Sequence, residues 1–350
     1  MAACLVVALL ASGWAVAHPG APGPSAASPT PSASLAISPG VSPTPSPTPT
    51  PTPTAAPTGT PPPVYPVVDS CDPSGVPGAI AVPGTGSGKS GAFTLHVPIL
   101  EYHRIVPVAE AGDSLPGLVV PPTRFSAQLD ALENAGWHTI TLAALAGDLA
   151  AHTKPPARSF VITIDDGWED GYTYAWPILD HHGYVATYFV IAGRIDRPGF
   201  LTTSELQALV AAGDEIGDHT MEHVSLSQQK GTLLTYEIDA AAARIAQVTG
   251  VWPESLAYPY GGVNARAEAA VAACRELRIA VVEEETAPEK AVAGSSPGST
   301  AKPVAVKTAR PRMLVAVETW ANRFAVPRVE VQPSMTPTKL ADLLPVLEAG

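Results

Sequence analysis

The chain has 350 residues and a formal charge of −12 at pH 7, which argues against nucleic acid as a partner and against a polybasic membrane patch. It holds 39 prolines, about twice the usual share. Seventeen of them fall between His18 and Pro66, where no Asp, Glu, Lys or Arg occurs, so that stretch cannot bury enough apolar surface to fold.

In chain order, Cys4–Ala17 is an apolar run too short to span a bilayer comfortably, and it ends in the small-x-small pattern Ala15-Val16-Ala17. Residues 1–17 read as a secretory signal peptide, with a membrane-anchoring segment as the alternative. Residues 18–68 read as a disordered Pro/Thr/Ser linker. Its core SPTPSPTPTPTPT, from Ser42 to Thr54, favours extended polyproline II and suits a spacer holding a domain away from a cell surface. The expected location is secreted or at the cell surface. Residues 69–91 read as irregular and 92–350 as the folded domain. Of the three cysteines, cleavage would remove Cys4; Cys71 and Cys274 read as two inert thiols, a disulfide being the alternative in an oxidising compartment.

From Phe93 strands and helices alternate. Val97–Ile105 reads as a buried strand. Thr123–Ala135 reads as a helix with Phe125, Leu129 and Leu132 on one face, stopped by Gly136. Phe160–Ile164 and Val185–Ile191 are apolar strands. Thr202-x-x-Glu205 is a capping box opening a helix. A strand begins at Glu215–Gly217, and a long helix runs over Leu233–Thr249 to Gly250. Then come a strand at Ser255–Tyr258, a helix over Asn264–Leu277, a strand at Arg328–Val331 and a helix over Pro337–Leu347. Glu283-Glu284-Glu285 begins a weakly periodic stretch to about Arg310, read as a mobile insertion near the site rim with a solvated acidic face. Repeated βα units imply a parallel sheet, as a barrel or a doubly wound sheet, with chemistry at the C-terminal strand ends.

Five features fall at such ends. Asp165 and Asp166, in Thr163-Ile164-Asp165-Asp166-Gly167, leave their strand in different directions, so one can bind a metal while the other holds a proton; Gly167 permits a sharp turn. His219-Thr220-Met221-Glu222-His223 offers two His on one face of a helical turn, able to chelate one cation. One Asp plus two His leaves an open position, as in a catalytic metal site. Tyr258-Pro259-Tyr260-Gly261-Gly262 could present a backbone N–H to an oxyanion. Tyr102-His103 and Pro327-Arg328 complete the set. Taken singly each has an ordinary reading: an Asp-Gly turn, a solvated His pair, an aromatic turn, a rim histidine, a solvated arginine. A parallel barrel would bring all five to one face.

The motifs TIDDG, HTMEH and YPYG, in that order, resemble the polysaccharide deacetylase (NodB-homology) family, carbohydrate esterase family four, over roughly Val97–Val331. The opening VPILEYHRI resembles the circularly permuted branch that acts on extracellular poly-N-acetylglucosamine. The resemblance implies a distorted (β/α)7 barrel and metal-dependent removal of N-acetyl groups from an N-acetylglucosamine polysaccharide. It also implies Asp165 as catalytic base, Asp166, His219 and His223 as ligands of a divalent ion, most suitably Zn2+, and the Tyr260 N–H as an oxyanion donor. Two positions depart from the pattern. Ala257 stands where most members carry an Arg that orients the base, which makes Arg328 the candidate replacement. No His follows His223, so His103 is the candidate general acid. An O-acetyl esterase on xylan or a similar glycan, and a non-catalytic carbohydrate-binding relative, remain as alternatives.

Overall fold

The structure is a computed structural model that describes Cys71 and residues 93–283, 318–319 and 321–349. The signal peptide, the linker, nearly all of the 69–91 segment and the 284–310 part of the expected insertion lie outside the described residues. The elements are β1 (Thr94–Leu95), β2 (Ile99–Tyr102), β3 (Arg104–Ile105), β4 (Val119–Val120), α1 (Pro122–Asn134), β5 (His138–Thr139), α2 (Leu142–Ala151) and β6 (Ser159–Ile164). They continue with α3 (Trp176–His181), β7 (Thr187–Val190), α4 (Thr203–Ala212), β8 (Glu215–Asp218), α5 (Gly231–Thr235), α6 (Ala241–Thr249) and β9 (Ser255–Ala257). Last come α7 (Ala265–Ala273), β10 (Ile279–Glu283), β11 (Glu318–Thr319), β12 (Val326–Glu330) and α8 (Pro337–Ala349).

Seven parallel strands close a barrel in the order β2-β12-β10-β9-β8-β7-β6, and β2 pairs β6 with Ile99 opposite Val161 and Tyr102 opposite Ile164. That last pairing decides for a (β/α)7 barrel over an open sheet. Every residue of β2, β6, β7 and β9 is buried, as expected of parallel strands covered on both faces. The lower barrel interior is plugged by Ile99, Val161, Phe189, Ile279, Val281 and Val326, which pack in one cluster with Leu142, Leu145 and Leu149 of α2. Burying each such leucine contributes about 1.5–3 kcal/mol. The plug fills the end where the strands start and leaves the other end for polar side chains.

Helix signals read from the sequence recur in place. The Thr202 side chain caps α4 and Glu205 returns the bond to the Thr202 N–H. Gly250, at φ 80°, ends α6. The long helix expected over Leu233–Thr249 is present, running from α5 through a π turn at Tyr236–Ala240 into α6. Glu283 is the last residue of β10, paired with Arg328, rather than the start of an insertion. β5, α2, α3 and β10 were not expected from the sequence. Among the described residues no helix is long and apolar enough to cross a membrane.

Cys71 and Cys274 are joined in a disulfide, with Cα atoms 4.9 Å apart, which corrects the reading of two thiols. Cys274 ends α7 inside an apolar cluster with Trp252 and Leu277, and Cys71 is buried in the same cluster. A separation of 203 residues carries no sign of that proximity. The bridge ties the segment before the barrel to its outer helical layer.

Candidate active site

Asp165 and Asp166 follow β6 directly. The Asp165 N–H donates to the Tyr102 carbonyl at 2.9 Å, extending the β2–β6 ladder by one rung and placing His103 and Asp165 at neighbouring strand ends. Asp166 turns out of the strand with φ 74°, and Gly167 follows at φ 72°. A Cβ on Gly167 would lie 3.1 Å from the Val190 side chain, so the tight turn and the close approach both call for glycine.

Arg328 reaches Asp165 from β12 across the barrel. Its Nη1 donates to Asp165 Oδ1 at 2.7 Å and its Nη2 to Oδ2 at 2.8 Å, a fork-on-carboxylate contact. Nη1 also donates to Thr163 Oγ1 at 2.9 Å. Both partners are almost wholly buried. Burial alone would raise the Asp165 carboxyl, but Arg328 and His219 outweigh it and hold Asp165 below the usual carboxylate range. Asp165, with Glu101 and Glu283, pushes the Arg328 guanidinium up against the effect of burial. The sequence offered Arg328 as a replacement for the arginine absent at Ala257, and the guanidinium lies on Asp165.

His219 and His223 are not on a helical turn, contrary to the sequence reading. They sit in an irregular loop after β8, with Thr220 at φ 66° and His223 at φ 58°. Side chains hold this loop: the Thr220 N–H donates to Asp218 Oδ1 at 2.7 Å and the His223 N–H to Thr220 Oγ1 at 3.0 Å. The Gly193 N–H donates to the Met221 carbonyl at 2.9 Å, so the turn after β7 braces it. The two imidazoles converge on one oxygen: His223 Nε2 is 3.2 Å and His219 Nε2 3.6 Å from Asp166 Oδ1. The His219 Nδ1 lies 2.9 Å from the Ala257 carbonyl; donation there fixes the tautomer and leaves Nε2 as the free lone pair. Burial and the neighbouring His219 push His223 down to about 4. Burial would lower His219 too, but Asp166 and Asp165 raise it.

This triad fits a divalent cation. Asp166 Oδ1 is buried and accepts no hydrogen bond, while Oδ2 accepts from Trp168 Nε1 at 3.1 Å. Ligand atoms at zinc distances in a tetrahedron lie about 3.4 Å apart, close to the two separations observed. Among the described residues the grouping of Asp166, His219 and His223 offers one carboxylate and two imidazoles.

The triad, Asp165, Arg328, His103 and Tyr260 line one cavity of about 200 Å3 at the C-terminal mouth of the barrel. Tyr260 adopts a left-handed backbone, φ 58° and ψ 25°, its ring is exposed, and its centroid is 4.7 Å from that of His223. Tyr258 is buried and donates its hydroxyl to the Phe324 carbonyl at 3.0 Å, anchoring the turn.

The sequence reading missed Glu101. It shares a strand face with His103 two residues on, with Oε1 3.8 Å from His103 Nε2 and 3.3 Å from Arg328 Nη2. Burial pushes its carboxyl up to about 8 despite Arg328, and Asp165, Glu283 and Glu330 add to the rise. An acidic residue inside the apolar run VPILEY was the available signal.

Known proteins were compared with this chain. The family model for polysaccharide deacetylase matches residues 152–277. Over those residues the chain is similar to a polysaccharide deacetylase domain. The matched segment holds Asp165, Asp166, His219, His223 and Tyr260, while β2 and β12, which bring His103 and Arg328, flank it. YxkH of Bacillus subtilis, which bears a polysaccharide deacetylase name, is 34% identical over 131 residues, 37% of this chain and 44% of its own. The peptidoglycan-N-acetylglucosamine deacetylase PgdA of Listeria monocytogenes is 27% identical over 108 residues, 31% of this chain and 22% of its own. The chain thus spans less than half the length of these curated relatives. In fold, the barrel is similar to the Streptococcus pyogenes deacetylase PplD, with TM-score 0.57 and 22% identity over 71% of this chain and 97% of that one.

Proposed function

We propose that the deacetylase domain hydrolyses N-acetyl groups of an N-acetylglucosamine-containing polysaccharide, releasing acetate, as a secreted or cell-surface enzyme. The observation that carries the reading is the Arg328-clamped carboxylate of Asp165 set beside the Asp166–His219–His223 triad, with His103 lining the same cavity. The name of the PgdA relative supports N-acetylglucosamine as the sugar, and the apolar N-terminal run supports export.

Asp166, His219 and His223 would hold the divalent ion, with Zn2+ best suited to one carboxylate and two imidazoles. When bound, the ion acidifies water and polarises the acetyl carbonyl. Asp165 takes the proton of the attacking water. Arg328 fixes both of its oxygens, but a carboxylate keeps lone pairs beyond those two bonds, and Oδ2 is 3.9 Å from His219 Nε2, on the triad's side. The water oxygen bonds to the acetyl carbon, and the Tyr260 N–H supports the resulting oxyanion. The C–N bond then breaks as His103 delivers a proton to nitrogen, leaving acetate and a free amine. The deep plug of apolar side chains keeps the chemistry at the rim, where a polymer can lie across the opening.

Acetate release from an N-acetylated and an O-acetylated polymer, side by side, with and without added Zn2+, tests this. Metal-dependent release from the N-acetylated polymer is expected. Release from the O-acetylated polymer alone would show an esterase, and none from either a non-catalytic relative.

A further inference from the structure

A second group of ligands lies in the same cavity, apart from the triad. Glu101, His103 and Glu283 each present one ligand atom, and the three atoms lie within 4.8 Å of one another. Glu101 is 1% exposed, and neither of its carboxylate oxygens has a hydrogen-bond partner. Oε1 faces the Arg328 Nη2 at 3.3 Å and the His103 Nε2 at 3.8 Å, and that guanidinium is already committed through two bonds to Asp165. The backbone sets the convergence: Glu101 and His103 are two residues apart on one strand face, and Glu283 ends β10 opposite Arg328. Glu283 makes no ion pair with any described residue. Asp165, Glu101 and Glu283 all act on Arg328, so carboxylates outnumber the one guanidinium.

We infer that Glu101, His103 and Glu283 form a second divalent-cation site, which a transition metal ion fills when in excess. The donor set of one imidazole and two carboxylates repeats the chemistry of the first site, so an ion suited to one suits the other. Ligand atoms around zinc lie about 3.4 Å apart, so closing the present spacing takes side-chain shifts on the order of 1 Å. An ion here engages the His103 imidazole, to which the proposed function assigns proton delivery. On that reading, excess metal inhibits: the first equivalent supports turnover and the second stops it.

The test uses Zn2+ alone as probe, on metal-stripped full chain, with isothermal titration and elemental analysis. The unmodified protein is expected to bind two equivalents, and Glu283→Gln and His103→Gln one each, with the first site unchanged. Losing even an outer partner of a metal ligand costs about 10–100-fold in affinity, so loss of Glu283 itself is expected to weaken the second equivalent at least that far. The retained first equivalent shows that each variant is folded. Acetate release by the unmodified protein should fall as Zn2+ exceeds one equivalent, and Glu283→Gln should resist that fall. A single equivalent in the unmodified protein, or a second one undiminished in Glu283→Gln, overturns the site. Titration needs no turnover, so an inactive enzyme would refute the proposed function and leave this inference to the stoichiometry.

Discussion

Replacing Arg328 by Gln tests the central electrostatic argument. The guanidinium is 1% exposed and makes three hydrogen bonds, two to Asp165 and one to Thr163, besides its contact with Glu101. Removing it leaves two buried carboxylates without a cation, and breaking a buried pair from one side costs about 3–5 kcal/mol. At about 2–4 °C per kcal/mol for a domain of this size, the melting temperature should fall by about 6–20 °C. The sign with pH follows from Asp165. Its folded carboxyl is held below its unfolded value, so the stability it contributes is complete above about pH 4 and is lost as pH falls further. Without Arg328, burial is opposed only by the imidazoles, the carboxyl rises, and both the acid limb of activity and that of stability move to higher pH. Loss of an oriented base should slow turnover by about 10²–10⁴-fold. Arg328→Lys keeps the charge but not the fork and should recover stability more than rate. Acetate release and thermal unfolding between pH 4 and 9 would read all three effects. An unmoved acid limb together with full activity would refute the role of Arg328.

Asp165→Asn should keep its zinc, by elemental analysis, while deacetylation nearly vanishes; Asp166→Asn should lose the zinc too, and the opposite pattern would reverse the two roles. His103→Ala should slow N-acetyl hydrolysis by about 10²–10⁴-fold but aryl acetate hydrolysis much less, because an amide needs its nitrogen protonated and an aryl ester's leaving group departs unaided; equal losses would exclude it as the acid. His219→Ala should abolish both metal content and turnover, and an active protein free of transition metal would end the metal-site assignment. Cys274→Ser should cost about 2–5 kcal/mol through loss of a long loop closure, seen as a lower melting temperature, and an unchanged melting temperature would show that the bridge adds nothing to the barrel.

Some features are legible in the sequence because they are local. A capping box is four residues long, so Thr202 and Glu205 announce α4 by themselves. Strands buried on both faces read as unbroken apolar runs, and polar residues just past such runs mark the chemical end of a parallel barrel. That is why Asp165, Asp166, His219, His223 and Tyr260 could be singled out from one chain. α2 escaped notice although Leu142, Leu145, Ala146 and Leu149 bury one face at helical spacing, because alanines on the outer face blur the apolar contrast. β10 escaped because its last residue, Glu283, opens an acidic run that drew the reading toward solvent. Geometry that depends on distant partners was out of reach. The His219–His223 loop owes its shape to Asp218, Thr220 and Gly193 rather than to helical spacing. The disulfide joins residues 203 positions apart, and the seating of Arg328 on Asp165 spans 163. The sequence determines which side chains are available and on which strand ends they stand. Ring closure between β2 and β6 decides which of them meet, because only a closed barrel carries β12 back beside β2 and lets one buried guanidinium serve both Asp165 and Glu101.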